Sequence, residues 1–118
     1  MTLEAFHRAA LALPGVALDI KWGMDRVYCV GAKMFATAGV IDDPAPRYSF
    51  KTSDMAFELL IEQGLAQPAA YLARAKWVTL VSADALPDEE LTAYLAQAHA
   101  IVAAGLPKKV RRELGILT

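Results

Sequence analysis

Apolar positions change their period along the chain, and those changes divide it into elements. Leu3, Phe6, Ala10 and Leu13 follow helical spacing, Thr2 stands where its hydroxyl can cap a first turn, and Pro14-Gly15 supplies a stop, so the spacing predicts a first helix. From there glycines recur at 15, 23, 31 and 39, and the segments between them are rich in Val, Ile, Tyr, Phe and Trp. Runs of about six residues divided by glycine, which accepts the positive φ of tight turns, predict antiparallel strands over 16–22, 25–30 and 33–41. Asp42-Asp43-Pro44-Ala45-Pro46 reads as a loop, because proline removes a backbone donor and aspartate closes local turns. In Arg47-Tyr48-Ser49-Phe50-Lys51 aromatic and polar residues alternate. That pattern sends Tyr48 and Phe50 to a core and Arg47, Ser49 and Lys51 to a solvated face.

Ser53 or Thr52 is placed to cap a second helix over 54–63, with Ala56, Leu59, Leu60 and Gln63 on one face and Gly64 as its stop. Residues 68–74 read as a helical turn, and Lys76 to Ser82 is dense in strand formers. Pro87 and the acidic Asp88, Glu89 and Glu90 open a third helix, striped by Leu91, Leu95, Ala98 and Val102 and ended by Gly105. Pro107 restarts a short basic helix that Gly115 stops. Short turns between strands favour an antiparallel meander over a parallel sheet. The expected fold class is α+β, two layers, with a sheet of four to five strands, helices packed on one face and helices at the C-terminus, all in a single domain over 1–118.

Composition narrows the function classes. The 118 residues are 56% hydrophobic and 21% charged, enough apolar content for one core without disulfide or metal staples. One cysteine and two histidines cannot make a zinc module, so no metal site and no cofactor are expected. Cys29 reads as a small buried hydrophobe. The longest charge-free run, ending at Pro107, includes Gln97 and His99 and is shorter than the ~18–20 residues of a membrane span. Pro14-Gly15 interrupts the only signal-like segment, so a reducing cytoplasm is the expected compartment, with no membrane partner.

Several segments together are similar to one family. Trp22-Gly23, VGAKMF at 30–35, SFK at 49–51, AAYLARAKWV at 69–78, LPDEEL at 86–91 and LPKKVRREL at 106–114 occur in the order found in the MmcQ/YjbR family, which the chain resembles through nearly its whole length. The resemblance implies a small bacterial α+β protein with an antiparallel sheet. The family is largely uncharacterised, with DNA binding proposed by structural analogy to a double-wing arrangement, and it brings no established catalytic residues. Two positions depart from its pattern. Ala32 stands where many members have a second glycine in a VGGK turn, and Leu72-Ala73 replaces the His-Asn of the YHMNK version around Tyr71.

The residues themselves carry no nucleophile elbow, P-loop or dinucleotide fingerprint, and His7 and His99 lie on different helices, so an enzyme is not expected. Asp42-Asp43 reads as a solvated turn. Charge is unevenly spread: Lys108, Lys109, Arg111 and Arg112 against Glu113 make the end from Pro107 +3, leaving eight basic and twelve acidic residues, or −4, in the rest. A non-enzymatic binding module is therefore expected, with DNA the first candidate partner, held weakly and salt-sensitively by those four cations. A small-ligand or protein-interaction domain is the alternative, using the open sheet face near Lys33, Arg47, Lys51, Arg74, Lys76 and Trp77, with a homodimer through exposed sheet or helix surface as one form of it. Trp22 and Trp77 are weighed as core or rim residues first.

Overall fold

Side-chain caps set the helix starts that the pattern predicts. In the computed structural model, which describes residues 1–21, 25–39 and 46–116, Thr2 Oγ1 accepts from the Ala5 amide at 3.1 Å to open α1 (Leu3–Leu11). Ser53 Oγ accepts from the Ala56 amide to open α2 (Asp54–Glu62). Thr52, the other candidate cap, instead turns its hydroxyl to the Lys76 carbonyl at 2.6 Å and is buried. α3 (Asp88–Ala104) and α4 (Lys108–Glu113) each begin directly after a proline.

Between the helices lies an antiparallel sheet of β1 (Val16–Lys21), β2 (Asp25–Val30), β3 (Lys33–Gly39), β4 (Arg47–Lys51), β5 (Ala66–Pro68) and β6 (Trp77–Leu80). The spatial order is β1-β2-β3-β4-β6-β5. The expected two-layer α+β meander is met, with six strands rather than four to five. The added strand, β5, is three residues long and falls partly inside the segment read as a helical turn. Its sequence, Ala-Gln-Pro, has no strand signal of its own, and only pairing with β6 makes it extended. The turn character appears further on, as a 3-10 turn over Ala73–Ala75.

One face of the sheet carries the main core. Tyr28, Ala36, Phe50 and Val78 are directly opposite one another across four strands and fully buried. A register shift between Tyr28 and Cys29 resets the alternation, so consecutive Phe35 and Ala36 are both buried while Met34 moves to the other face. α1 adds Phe6, whose ring stacks on Tyr48 at 4.2 Å and meets Tyr28 edge-on at 5.7 Å. α3 adds Leu91, Leu95 and Ala98, as its stripe predicts, with Val102 half-buried. α2 differs from expectation. Ala56 and Leu60 are buried, with Phe57 and Ile61 packed beside them, while Leu59 is exposed, because the helix lies over β5 on a face rotated from the expected one.

Both histidines have packing roles. His99 is buried, meets Phe35 edge-on, and its Nε2–H donates to the Pro14 carbonyl at 2.7 Å. His7 Nδ1 lies 3.0 Å from the Tyr28 hydroxyl. Cys29, expected to be buried, is partly exposed, because it lies on the sheet face that no helix among the described residues covers. Trp22, Gly23 and the Asp42-Asp43 turn lie outside the described residues.

The β2–β3 turn shows the strain that one departure from the resembled pattern carries. Val30 pairs with Lys33, so the turn has two residues, and both take positive φ: Gly31 at 57° and Ala32 at 66°. Ala32 carries a Cβ in a region that favours glycine. Ala32→Gly is expected to stabilise the protein by about 0.5–1 kcal/mol, the relief of strain offset in part by a freer unfolded chain. Thermal melts check this as a rise in Tm of a few degrees.

The aromatic core also sets an alkaline limit. Tyr48 donates to the Met1 carbonyl at 2.8 Å. Burial, helped by the Asp84 carboxylate, pushes its hydroxyl up to about 12 from 10.0. Burial raises Tyr28 too, with Arg26 opposing in part. Because the unfolded chain loses these protons first, the stabilisation is fully present below pH ~10 and is lost as pH rises through the folded-state values. Urea midpoints are expected to fall across that window, and to fall less steeply in Tyr48→Phe.

Candidate functional site

Strand alternation that buries Tyr28, Ala36, Phe50 and Val78 on one face must send their neighbours to the other. Pairing register then aligns those neighbours. Asp19, Val27, Thr37, Ser49, Thr79 and Gln67 stand opposite one another in turn, one from each strand, in a row across the whole sheet. Four successive members are hydroxyl or amide residues. Ser49 Oγ and Thr79 Oγ1 are hydrogen-bonded at 2.8 Å, fixing the middle of the row.

A groove of about 780 Å³ lies along this row. Thr37, Ser49, Thr79 and Gln67 contribute to its floor, Asp25, Met34 and Arg47 to one part of its lining, and Pro68 to Leu72 with Val81 to another. Gly39 lies in β3, inside the strand predicted over 33–41, and pairs with Arg47. Its missing side chain matters here. A Cβ at Gly39 would lie 3.4 Å from Asp25 Oδ1 and 3.8 Å from Arg47 Cβ, so the carboxylate and the arginine stem flank a bare backbone position.

The loop joining β5 to β6 holds itself in shape through backbone bonds, Leu72 N–H to Ala69 O, Ala75 N–H to Leu72 O and Trp77 N–H to Leu72 O. Within it Tyr71 has φ 66° and a fully solvent-exposed side chain. A bulky residue at positive φ is strained, and packing does not account for it, since the ring is left in water.

The sequence-predicted residues fall in several places. Arg47 is exposed and lines the groove. Lys51 shares the open face but its ammonium donates to the Ala75 carbonyl. Lys76 sits over the Phe57 ring, 4.8 Å from its centre, and Arg74 is exposed on the 3-10 turn. Trp77 lies opposite Lys51 and is buried, as its first reading as a core or rim residue has it, so its place among the sheet-face ligand residues is corrected: the loop leading into β6 folds back on it. Lys33 begins β3 beside the β2–β3 turn and is exposed. Leu106, in the connection before α4, and Val110 of α4 pack on that turn; they are the side chains a Cβ on Gly31 would meet. On α4 Lys108, Lys109 and Arg112 are exposed, while Arg111 is half-buried with its Nε enclosed and without a partner among the described residues.

The cations are thus divided between the groove, the 3-10 turn and the α4 region. Alternation alone marks Ser49 and Arg47 as open-face residues. Thr37 and Thr79 carry the same signal at their strand positions, whereas Asp25, Gln67 and Tyr71 join the groove only through pairing and loop geometry. Among the described residues no group of three or more His, Cys, Asp or Glu side chains is placed to hold a metal ion, and no helix is long and apolar enough to cross a membrane.

Comparison with known proteins finds a family and a similar solved structure. The family model described as YjbR matches residues 11–101. The crystal structure of Deinococcus radiodurans protein DR2400, which carries domain DUF419, is similar with a TM-score of 0.84 and 25% identity, over 98% of this chain and 89% of that one. No curated protein matches the chain.

Proposed function

The chain belongs to the YjbR family, and from that premise we propose that it is a non-catalytic binding module whose ligand is a small polar molecule seated in the groove of the open sheet face. The observation that carries this reading is the groove itself, about 780 Å³, with a polar floor drawn from four strands and one cation and one carboxylate in its lining. Ligand sites are concave, of about this volume, and supplied with a few convergent polar groups. The single cysteine suits a protein working in a reducing cytoplasm.

A metabolite panel screened by thermal shift tests it. A true ligand is expected to raise Tm by mass action, and Ser49→Phe, which fills the floor, to abolish the shift. A ligand whose shift survives both Ser49→Phe and Arg47→Glu would place binding elsewhere.

Duplex DNA binding has one observation in its favour, the exposed Lys108, Lys109 and Arg112 on one short helix. The same experiment separates the two readings when a duplex is added at two salt concentrations. Contacts through α4 predict steep salt dependence that is reduced in the triple alanine variant of these residues. Unchanged affinity in that variant counts against them.

A further inference from the structure

We propose that the groove accepts one nucleotide unit, a nucleobase on a sugar bearing a single phosphate, with Tyr71 as the stacking platform; this rests on the groove being a ligand site. Three features select that chemistry. The first is Tyr71, an aromatic ring held fully in solvent at the groove wall on a backbone at φ 66°. Every base has a π-face, so an exposed ring of this kind binds bases by stacking with little regard to sequence.

The second is the floor. The hydrogen-bonded Ser49–Thr79 pair retains one hydroxyl proton and several lone pairs, and the Gln67 amide offers both donors and an acceptor. Asp25 accepts only. Base edges and sugar hydroxyls present this same mixture of donors and acceptors, whereas an aliphatic or purely anionic ligand would leave most of these groups without partners.

The third is charge. Arg47 is the one cation and Asp25 the one carboxylate in the groove lining among the described residues. One guanidinium matches one phosphate monoester or diester. A polyphosphate would need more cations than the lining supplies. A base inside a duplex is stacked on both faces and cannot reach Tyr71 without being extruded. The source is therefore a free nucleoside monophosphate or one residue of a single strand.

Amide NMR titration of the full chain with the four nucleoside monophosphates, the matching nucleosides, a short single strand and a duplex distinguishes these cases. Shifts are expected at Thr37, Ser49, Thr79 and residues 69–72. Tyr71→Ala is expected to weaken binding about 5- to 150-fold, the range measured for removing one base stack, with Tyr71→Phe close to the parent. Tyr71→Gly removes the ring and also the backbone strain, so it should bind poorly while melting no lower than the parent. Arg47→Ala should erase the preference for monophosphate over nucleoside. Tighter binding of the single strand than of monophosphates identifies the strand as the source, and equal or weaker binding identifies the free nucleotide. The proposal is overturned if no nucleotide shifts the groove amides, or if Tyr71→Ala binds as well as the parent. Should a different metabolite occupy the groove in that case, the ligand-site reading survives and only the nucleotide assignment fails.

Discussion

Phe6→Ala is expected to destabilise the protein by about 3–5 kcal/mol, the cost of truncating a large, fully buried aromatic whose cavity cannot collapse. Phe6 is 0% exposed and joins α1 to the sheet by stacking on Tyr48 at 4.2 Å and meeting Tyr28 edge-on. Both partners are held in place, Tyr48 by its bond to the Met1 carbonyl and Tyr28 by its contact with His7, so neither ring is free to fill the space. Domains of this size have a total stability of about 5–15 kcal/mol, and the variant therefore loses a large share of it. Urea unfolding followed by circular dichroism should show a much lower midpoint with an unchanged slope. Phe6→Leu, which keeps most of the volume, should cost far less. A loss below about 1 kcal/mol in Phe6→Ala would mean that α1 contributes little to the core.

Gly31→Ala is expected to cost about 2–5 kcal/mol, from two sources that can be separated. The φ of 57° penalises any Cβ by about 1–2 kcal/mol. The added atom would also lie 2.7 Å and 2.9 Å from the two methyl carbons of Leu106, which is buried where α4 meets the sheet. Forcing that side chain aside is an overpacking cost of about 1–3 kcal/mol. In a Leu106→Ala background the steric part should vanish and only the backbone part remain. A double-mutant cycle measures the difference as a coupling energy. Zero coupling would show that Leu106 moves freely and that α4 is loosely held. Gly31 and Ala32 thus make a paired comparison within one turn: adding a Cβ at the first destabilises, and removing one at the second stabilises.

Elements governed by neighbours in the chain were legible early. The starts of α1 and α2 follow from Thr2 and Ser53, and the faces of β4 follow from the alternation in Arg47 to Lys51, because capping and pleating are properties of a few consecutive residues. Where partners lay far away in sequence, the pattern misled. Leu59 looked like a core residue by spacing but is exposed, since the sheet edge that α2 covers sets which of its faces is buried.

For the site, the cations read from the sequence contribute one residue, Arg47, to the groove. Lys51 and Lys76 are engaged with the Ala75 carbonyl and the Phe57 ring, and Trp77 is buried. Residue type alone announced a charged or aromatic side chain in each case. Whether it meets solvent depended on what the β5–β6 loop covers, and that loop is shaped by its own backbone bonds.

By itself the sequence determined the α+β class, the antiparallel meander, the solvated sheet face and the uneven charge, because period, turn residues and composition are local or additive properties. Tertiary structure alone decided that Thr37, Ser49, Thr79 and Gln67 form one row, that β5 exists, and that Tyr71 stands in water above that row. The physical reason is register. Which residues of two strands face each other is fixed by packing and hydrogen bonds between segments up to dozens of residues apart, and a slip of one position would have sent every member of the row to the core.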